Sequence, residues 1–161
     1  MPLAGGAADK LGNRFEQWWT ACVFERLLLG DFDSIRLEDP TVDKAEFVVR
    51  TGTHRELHQT KRNSASGKWS ISDLAGKEVA LISAIYAALA ENDNRFVFVS
   101  GSSAKELTEL TERARDAQTS EEFTTHFVSS ERLSAALQRV QTEWRDCSVE
   151  VAWNVLRRIE C

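Results

Sequence analysis

The sequence predicts an α/β protein: a mixed central sheet of about four strands, flanked by helices and followed by a helical C-terminal tail. Three observations carry that reading. Apolar residues recur at helical spacing near both termini. Residues 34–61 hold alternating or β-branched runs, punctuated by Pro40 and by Thr51-Gly52-Thr53. Phe96-Val97-Phe98-Val99 is apolar on both strand faces, the mark of an interior strand reached over a helix.

The elements follow in order. Met1 to Ala8 is small and Gly-rich and reads as a flexible lead-in. Leu11, Phe15, Trp18 and Cys22 predict a helix from Asp9 or Lys10 to Leu29, with Gly30 placed to stop it. Ser34 to Glu38 alternates Ile35 and Leu37 against Arg36 and Glu38, a strand that Pro40 ends. Ala45–Arg50 and Arg55–Lys61 flank the glycine turn as a hairpin, and Arg62 to Lys68 is a polar loop. Ser72 and Asp73 start a helix whose apolar face is Leu74, Leu81, Ile85 and Ala88, ended by Asn92-Asp93-Asn94. The strand Arg95–Ser100 is then reached by a crossover. Beyond it, Ser103 with Glu106 and Thr119 with Glu122 fit capping boxes. Leu133, Leu137, Val140 and Trp144 mark one amphipathic helix; Ala152, Leu156 and Ile159 mark another running to the terminus. This divides the chain into a lead-in (1–8), a core (9–117) and a helical extension packing on that core (118–161).

The 161 residues are one domain's worth, and 42 % hydrophobic content supplies a core. A net charge of −5, from 25 acidic and 20 basic residues, argues against a histone-like polycation. No apolar run approaches the ~20 residues that span a bilayer, so no membrane partner is expected. The N-terminus lacks a charged-then-apolar signal pattern, which predicts a cytoplasmic protein. Cys22, Cys147 and Cys161 form neither a disulfide framework nor a C-x-x-C zinc pattern. No phosphate-binding G-x-x-x-x-G-K-[ST] loop and no G-x-S-x-G elbow is present.

The segment from Arg36 to Lys61 is the richest in chemistry. Asp43 opens the hairpin's first strand, while Gln59 and Lys61, two residues apart, project from one face of the second. A carboxylate binds a hard divalent cation through oxygen, and an amide oxygen can complete the shell. A lysine alongside orients water and stabilises the added charge of a phosphoryl transition state.

The order of a helical Gly-x-x-x-Glu (Gly12, Glu16), a strand ending in Glu38, Asp43, then Gln59-Thr60-Lys61 and Trp69 before a helix start resembles the PD-(D/E)xK nuclease superfamily. The likeness covers roughly residues 9–100. It is strongest to the Q-x-K variant in N-terminal nuclease domains of CBASS-associated and Avs-type anti-phage defence proteins. The resemblance implies a restriction-endonuclease-like sheet and a Mg²⁺- or Mn²⁺-dependent endonuclease acting on DNA, double-stranded by likeness alone. In that pattern Asp43 is the principal metal ligand, Gln59 offers its amide oxygen, Lys61 is the catalytic lysine, and Glu16 reaches the metal directly or through water. Glu38 is the weaker metal candidate. The likeness further implies an effector domain excised from a larger, homo-oligomeric bacterial defence protein.

Charge supports the same region. Arg50 to Lys77 holds six basic and two acidic residues, so Arg55, His58, Arg62, Lys68 and Trp69 are the DNA-binding candidates. His54 and His58 sit four apart on a strand, ~13 Å, too far for one ion; they read as polar hairpin residues near phosphate. Trp69 either stacks on a base or sugar or packs its loop against the sheet. Two rival readings stand beside the nuclease. One is a nuclease fold without strong catalysis that binds nucleic acid or assembles, which the neutral Gln59 favours. The other is an interaction domain working through the helices of Trp144 and Trp153.

Overall fold

The computed structural model describes residues 5–37, 45–62, 66–90 and 93–161, with side chains of the first helix from Arg14 onward. Among the described residues, five strands form one mixed sheet in the order β1-β2-β3-β4-β5, with helices on both faces. The fold is α/β as the sequence predicts.

Helix α1 (Gly5–Leu28) begins earlier than the apolar pattern indicates, so residues 5–8 are helical. Once a helix is nucleated, each added residue gains a hydrogen bond, and Ala7 and Ala8 extend it readily. Gly30 stops it as expected. With φ +86° it takes the left-handed position, donating to the Leu27 carbonyl while Asp31 donates to that of Arg26. The inward face differs from the predicted Leu11-Phe15-Trp18-Cys22 stripe. Trp19, Val23 and Leu27 face the sheet, packing with Phe32, Phe47 and Val49, while Trp18 is 61 % exposed. Polar and apolar residues are mixed round the helix with no dominant stripe, so periodicity alone could not choose its face.

Strand β1 (Ser34–Leu37) pairs antiparallel with β2 (Phe47–Thr51), which pairs antiparallel with β3 (His54–Lys61). The two-residue turn Gly52-Thr53 closes the hairpin, with Gly52 at φ +59°. Asp33 accepts the Gly52 N–H (2.5 Å), pinning the turn to the entry of β1.

The predicted helix from Ser72 to Asn92 is two helices: α2 (Ile71–Ala75) and α3 (Leu81–Leu89). Ser70 caps α2 and Asp73 completes the capping box, so the helix starts earlier than Ser72. Gly76, at the α2 C-cap, leaves the helical region and breaks the run. The crossover then delivers β4 (Arg95–Ser100) parallel to β3, with Gln59 beside Phe98 and Lys61 beside Ser100.

After β4 come α4 (Lys105–Asp116), a short α5 (Ser120–Glu122) widening into a π turn at Phe123–Phe127, α6 (Glu131–Glu143) and α7 (Val149–Leu156). Ser103 does not cap α4. Its carbonyl accepts the Trp69 N–H (2.7 Å), and Glu106 accepts the N–H of Ile71 instead (3.1 Å). Thr119 caps α5 as predicted. The last helix stops at Leu156, and Ile159–Glu160 forms β5, parallel to β4. A two-residue strand carries too little periodicity to be read from sequence. Segment 118–161 packs into the main core on the side of the sheet opposite α1 and supplies this fifth strand. Among the described residues, no helix is long and apolar enough to cross a membrane.

Trp144 closes that core. It is fully buried, stacks on Tyr86 (5.5 Å between centroids) and donates its indole N–H to the Ile82 carbonyl at 2.6 Å. Trp144→Ala should cost about 3–5 kcal/mol, read as a lower urea midpoint. Trp144→Phe keeps much of the packing and removes only the indole hydrogen bond, since the Ile82 carbonyl lies within α3, costing about 0.5–1.5 kcal/mol. Equal losses would place the energy in the hydrogen bond instead of the ring.

Candidate functional site

Strand β3 is an interior strand, paired on both edges, so the Gln-x-Lys pair does not lie on a solvated hairpin edge. Gln59 is only 3 % exposed. An amide in that position needs partners, and the hairpin register supplies one. Phe47 pairs with His58 and the Glu46 N–H donates to the His58 carbonyl (2.9 Å), so Glu46 stands opposite Gln59. Gln59 Nε2 donates to Glu46 Oε1 at 2.5 Å, and the Thr60 N–H donates to Glu46 Oε2 at 2.7 Å. Gln59 Oε1 remains buried with no hydrogen-bond partner. The bond from Nε2 to a carboxylate fixes which end of the amide is the oxygen.

Burial pushes the Glu46 carboxyl up to about 7. The Thr60 N–H and the Lys61 ammonium pull against that shift, and the Glu16 carboxylate adds to it. Lys61, half-buried, ends β3 on the face that carries Gln59. Glu16, half-buried on α1, shares a cavity of about 610 Å³ with Glu46. Of the predicted set, Gln59 thus bonds Glu46 directly, while Glu16 and Lys61 act on it through their charges. Asp43 and Glu38 lie outside the described residues.

Glu46 escaped the sequence reading, which took its carboxylate from Asp43. A signal was available: counting outward from a two-residue turn at Gly52-Thr53 sets Glu46 against Gln59. The donors are two carboxylates and an amide oxygen, an oxygen-only set that suits a hard cation such as Mg²⁺ or Mn²⁺. Among the described residues, no group of three or more His, Cys, Asp or Glu gathers as a metal site.

The DNA-binding candidates separate. His58 is a correction: it is 2 % exposed, stacked on Phe47 (4.7 Å) under α1, and accepts the Trp19 indole N–H at Nδ1 (3.3 Å). Its Nε2 lies 3.6 Å from Glu56, whose carboxyl it holds below the usual range. A ring so enclosed cannot meet phosphate. Arg55 sits four residues before Gln59 on β3, ~13 Å along the strand, at the far end from Lys61. Arg62 directly follows Lys61, and Lys68 returns to that end by bridging Ser103. Trp69 packs against the main core and donates its indole N–H to Ser100 (2.8 Å), so it fastens the loop to β4. Of its two sequence readings, the structure displays packing.

Comparison with protein-family models, with curated proteins and with solved structures found no match to this chain.

The Glu46 environment makes stability depend on pH. Its folded value near 7 exceeds the ordinary 4.5, so between the two the folded state holds a proton that the unfolded state has lost. The stabilisation is complete below the ordinary value and is lost as pH rises through about 7, a span of about 3 kcal/mol. Glu46→Gln should remove that slope, so its urea midpoint gains on the wild type between about pH 5 and pH 8. A gap that stays constant across the range would sink the assignment.

Proposed function

We propose that this chain is a metal-dependent DNA endonuclease domain of the PD-(D/E)xK type, serving as a cytoplasmic effector in bacterial anti-phage defence. The observation that carries the reading is the partnerless, buried amide oxygen of Gln59 beside the Glu46 carboxylate. A buried acceptor without a donor costs about 1–3 kcal/mol, and a cation or its bound water would satisfy it. In this reading Glu46, Gln59 Oε1 and Glu16 hold Mg²⁺ or Mn²⁺. When bound, such an ion supplies polarisation of the scissile phosphate and a lowered pKa for attacking water.

The chain's own groups do the remainder. Glu46 is held in place by the Thr60 N–H and the Gln59 amide, and it lines a cavity together with Glu16. Lys61 positions the attacking water and offsets charge gathering on the phosphoryl oxygens. Its backbone is fixed at a strand end paired to β4, with Ser100 beside it. Arg62 and Lys68 lie at the same end and would meet the sugar-phosphate backbone of double-stranded DNA.

Plasmid cleavage with Mg²⁺ or Mn²⁺, and with chelator, tests the reading. Lys61→Ala and Glu46→Gln should each lower the rate about 100-fold or more, the scale of losing one electrostatic contributor. Cleavage that survives both would overturn the site. Loss with Asp43→Asn but not with Glu46→Gln would move the ligand to Asp43. DNA binding without cleavage at any metal concentration would favour the non-catalytic module.

A second readout avoids activity altogether. Saturating Mg²⁺ at about pH 8 should raise the wild-type melting temperature by several degrees through preferential binding to the folded state. The shift should shrink near pH 5, where protons compete for Glu46, and vanish in Glu46→Gln.

A further inference from the structure

Away from Lys61, at the opening end of β3 and β4, four arginines converge. Arg95 begins β4, Arg115 lies in the last turn of α4, and Arg157 and Arg158 follow α7. They line two adjoining cavities of about 700 and 370 Å³. The acidic residues in those walls are Asp93 and Glu160. With the terminal carboxylate of Cys161, three carboxylates stand against four guanidiniums, which leaves the hollow positive by one in a chain of net charge −5.

Three of the arginines are held by the fold. Arg115 Nη1 donates to the Ile159 carbonyl. Arg158 donates from Nε to Asn154 (2.9 Å) and from Nη2 to Leu89 (2.7 Å), both to carbonyl oxygens. The Arg157 guanidinium lies 4.8 Å over the Trp153 ring. A guanidinium has five N–H donors, so the single bond of Arg115 and the ring contact of Arg157 engage only part of each fork. Among the described residues, Arg95, Arg115 and Arg157 make no ion pair.

Three anchored guanidiniums and the exposed Arg95 around one concavity repel one another unless an anion joins them. The larger cavity exceeds what one phosphate needs and falls within the usual range for small-molecule sites. A chain of linked phosphates can be gripped by several forks at once, each in bidentate fashion. A duplex backbone fits less well. The four arginines line a hollow that also holds Asp93 and Glu160, and Lys61 lies at the other end of β3. We propose that this pocket binds a small soluble polyphosphate, either inorganic triphosphate or the triphosphate chain of a nucleotide. The proposal is independent of the nuclease reading.

Calorimetric titration of the full chain at fixed salt tests it, with inorganic triphosphate, ATP, adenosine and a duplex DNA as probes. Triphosphate and ATP should bind and adenosine should not. ATP binding more tightly than triphosphate would add a nucleoside interaction to the phosphate grip. The double substitution Arg95→Ala with Arg157→Ala should weaken binding about 100-fold, about tenfold for each guanidinium removed from the phosphate chain. Both residues are exposed; should the double variant melt early, Arg95→Ala alone carries the test with its tenfold loss. Absence of triphosphate binding at millimolar concentration, undiminished binding in folded variants, or displacement of triphosphate by tighter-binding duplex would each overturn the proposal.

Discussion

Strand β3 is hydrogen-bonded along both edges, antiparallel to β2 and parallel to β4, and its faces are covered by α1 on one side and the main core on the other. That double enclosure buries three polar side chains in a row, His58, Gln59 and Thr60. A buried polar group without a partner costs about as much as a lost hydrogen bond, so each one constrains what may sit beside it. The His58 ring takes the Trp19 indole N–H and the face of Phe47, which fixes where α1 crosses the sheet. The Thr60 N–H and the Gln59 amide take the two oxygens of Glu46, which fixes how the chain enters β2. The hairpin and the first helix are thus located by the polar needs of one strand as much as by apolar packing.

The same enclosure explains the electrostatics. Glu46 receives two hydrogen bonds and the field of Lys61, yet burial still raises its carboxyl to about 7. Desolvation therefore outweighs the compensation the protein supplies, and Glu16 deepens the imbalance. A hydrogen-bonded pair kept only for structure would not need a second carboxylate nearby or an acceptor left without a donor. An arrangement short of positive charge and of one donor is the complement of a hydrated cation. That is the physical content of the nuclease reading, and it rests on Glu16, Glu46, Gln59 and Lys61 together.

Local patterns made much of this fold readable. Gly30, the Gly52 turn and the apolar run Phe96–Val99 each encode one element through backbone sterics or burial on both faces, so the helix stop, the hairpin and the crossover follow from a few residues. Features set by tertiary pairing were not readable. The face of α1 is decided by what Phe47 and Val49 present to it, because Trp18 and Trp19 look alike in sequence. The strand Ile159–Glu160 exists because β4 offers it an edge. In the site, Gln59 and Lys61 stood out by type and spacing, whereas Glu46 becomes meaningful only through register, since partnership across a hairpin depends on where the turn closes.

Parallel pairing also segregates function along the strands. Lys61 and Ser100 end β3 and β4 side by side, while Glu56 and Arg95 lie together near their starts. Five residue steps along β4 span ~17 Å, enough to keep one end's field from neutralising the other's at ordinary salt. One end gathers carboxylates around a lysine, a composition that attracts cations. The other gathers guanidiniums anchored on carbonyls of Ile159, Asn154 and Leu89, which attracts anions. A net charge of −5 averages these opposed ends with the acidic outer faces of the helices and describes neither. What sets the chemistry at each end is the direction of β3 and β4, because parallel strands carry like ends to the same side of the sheet.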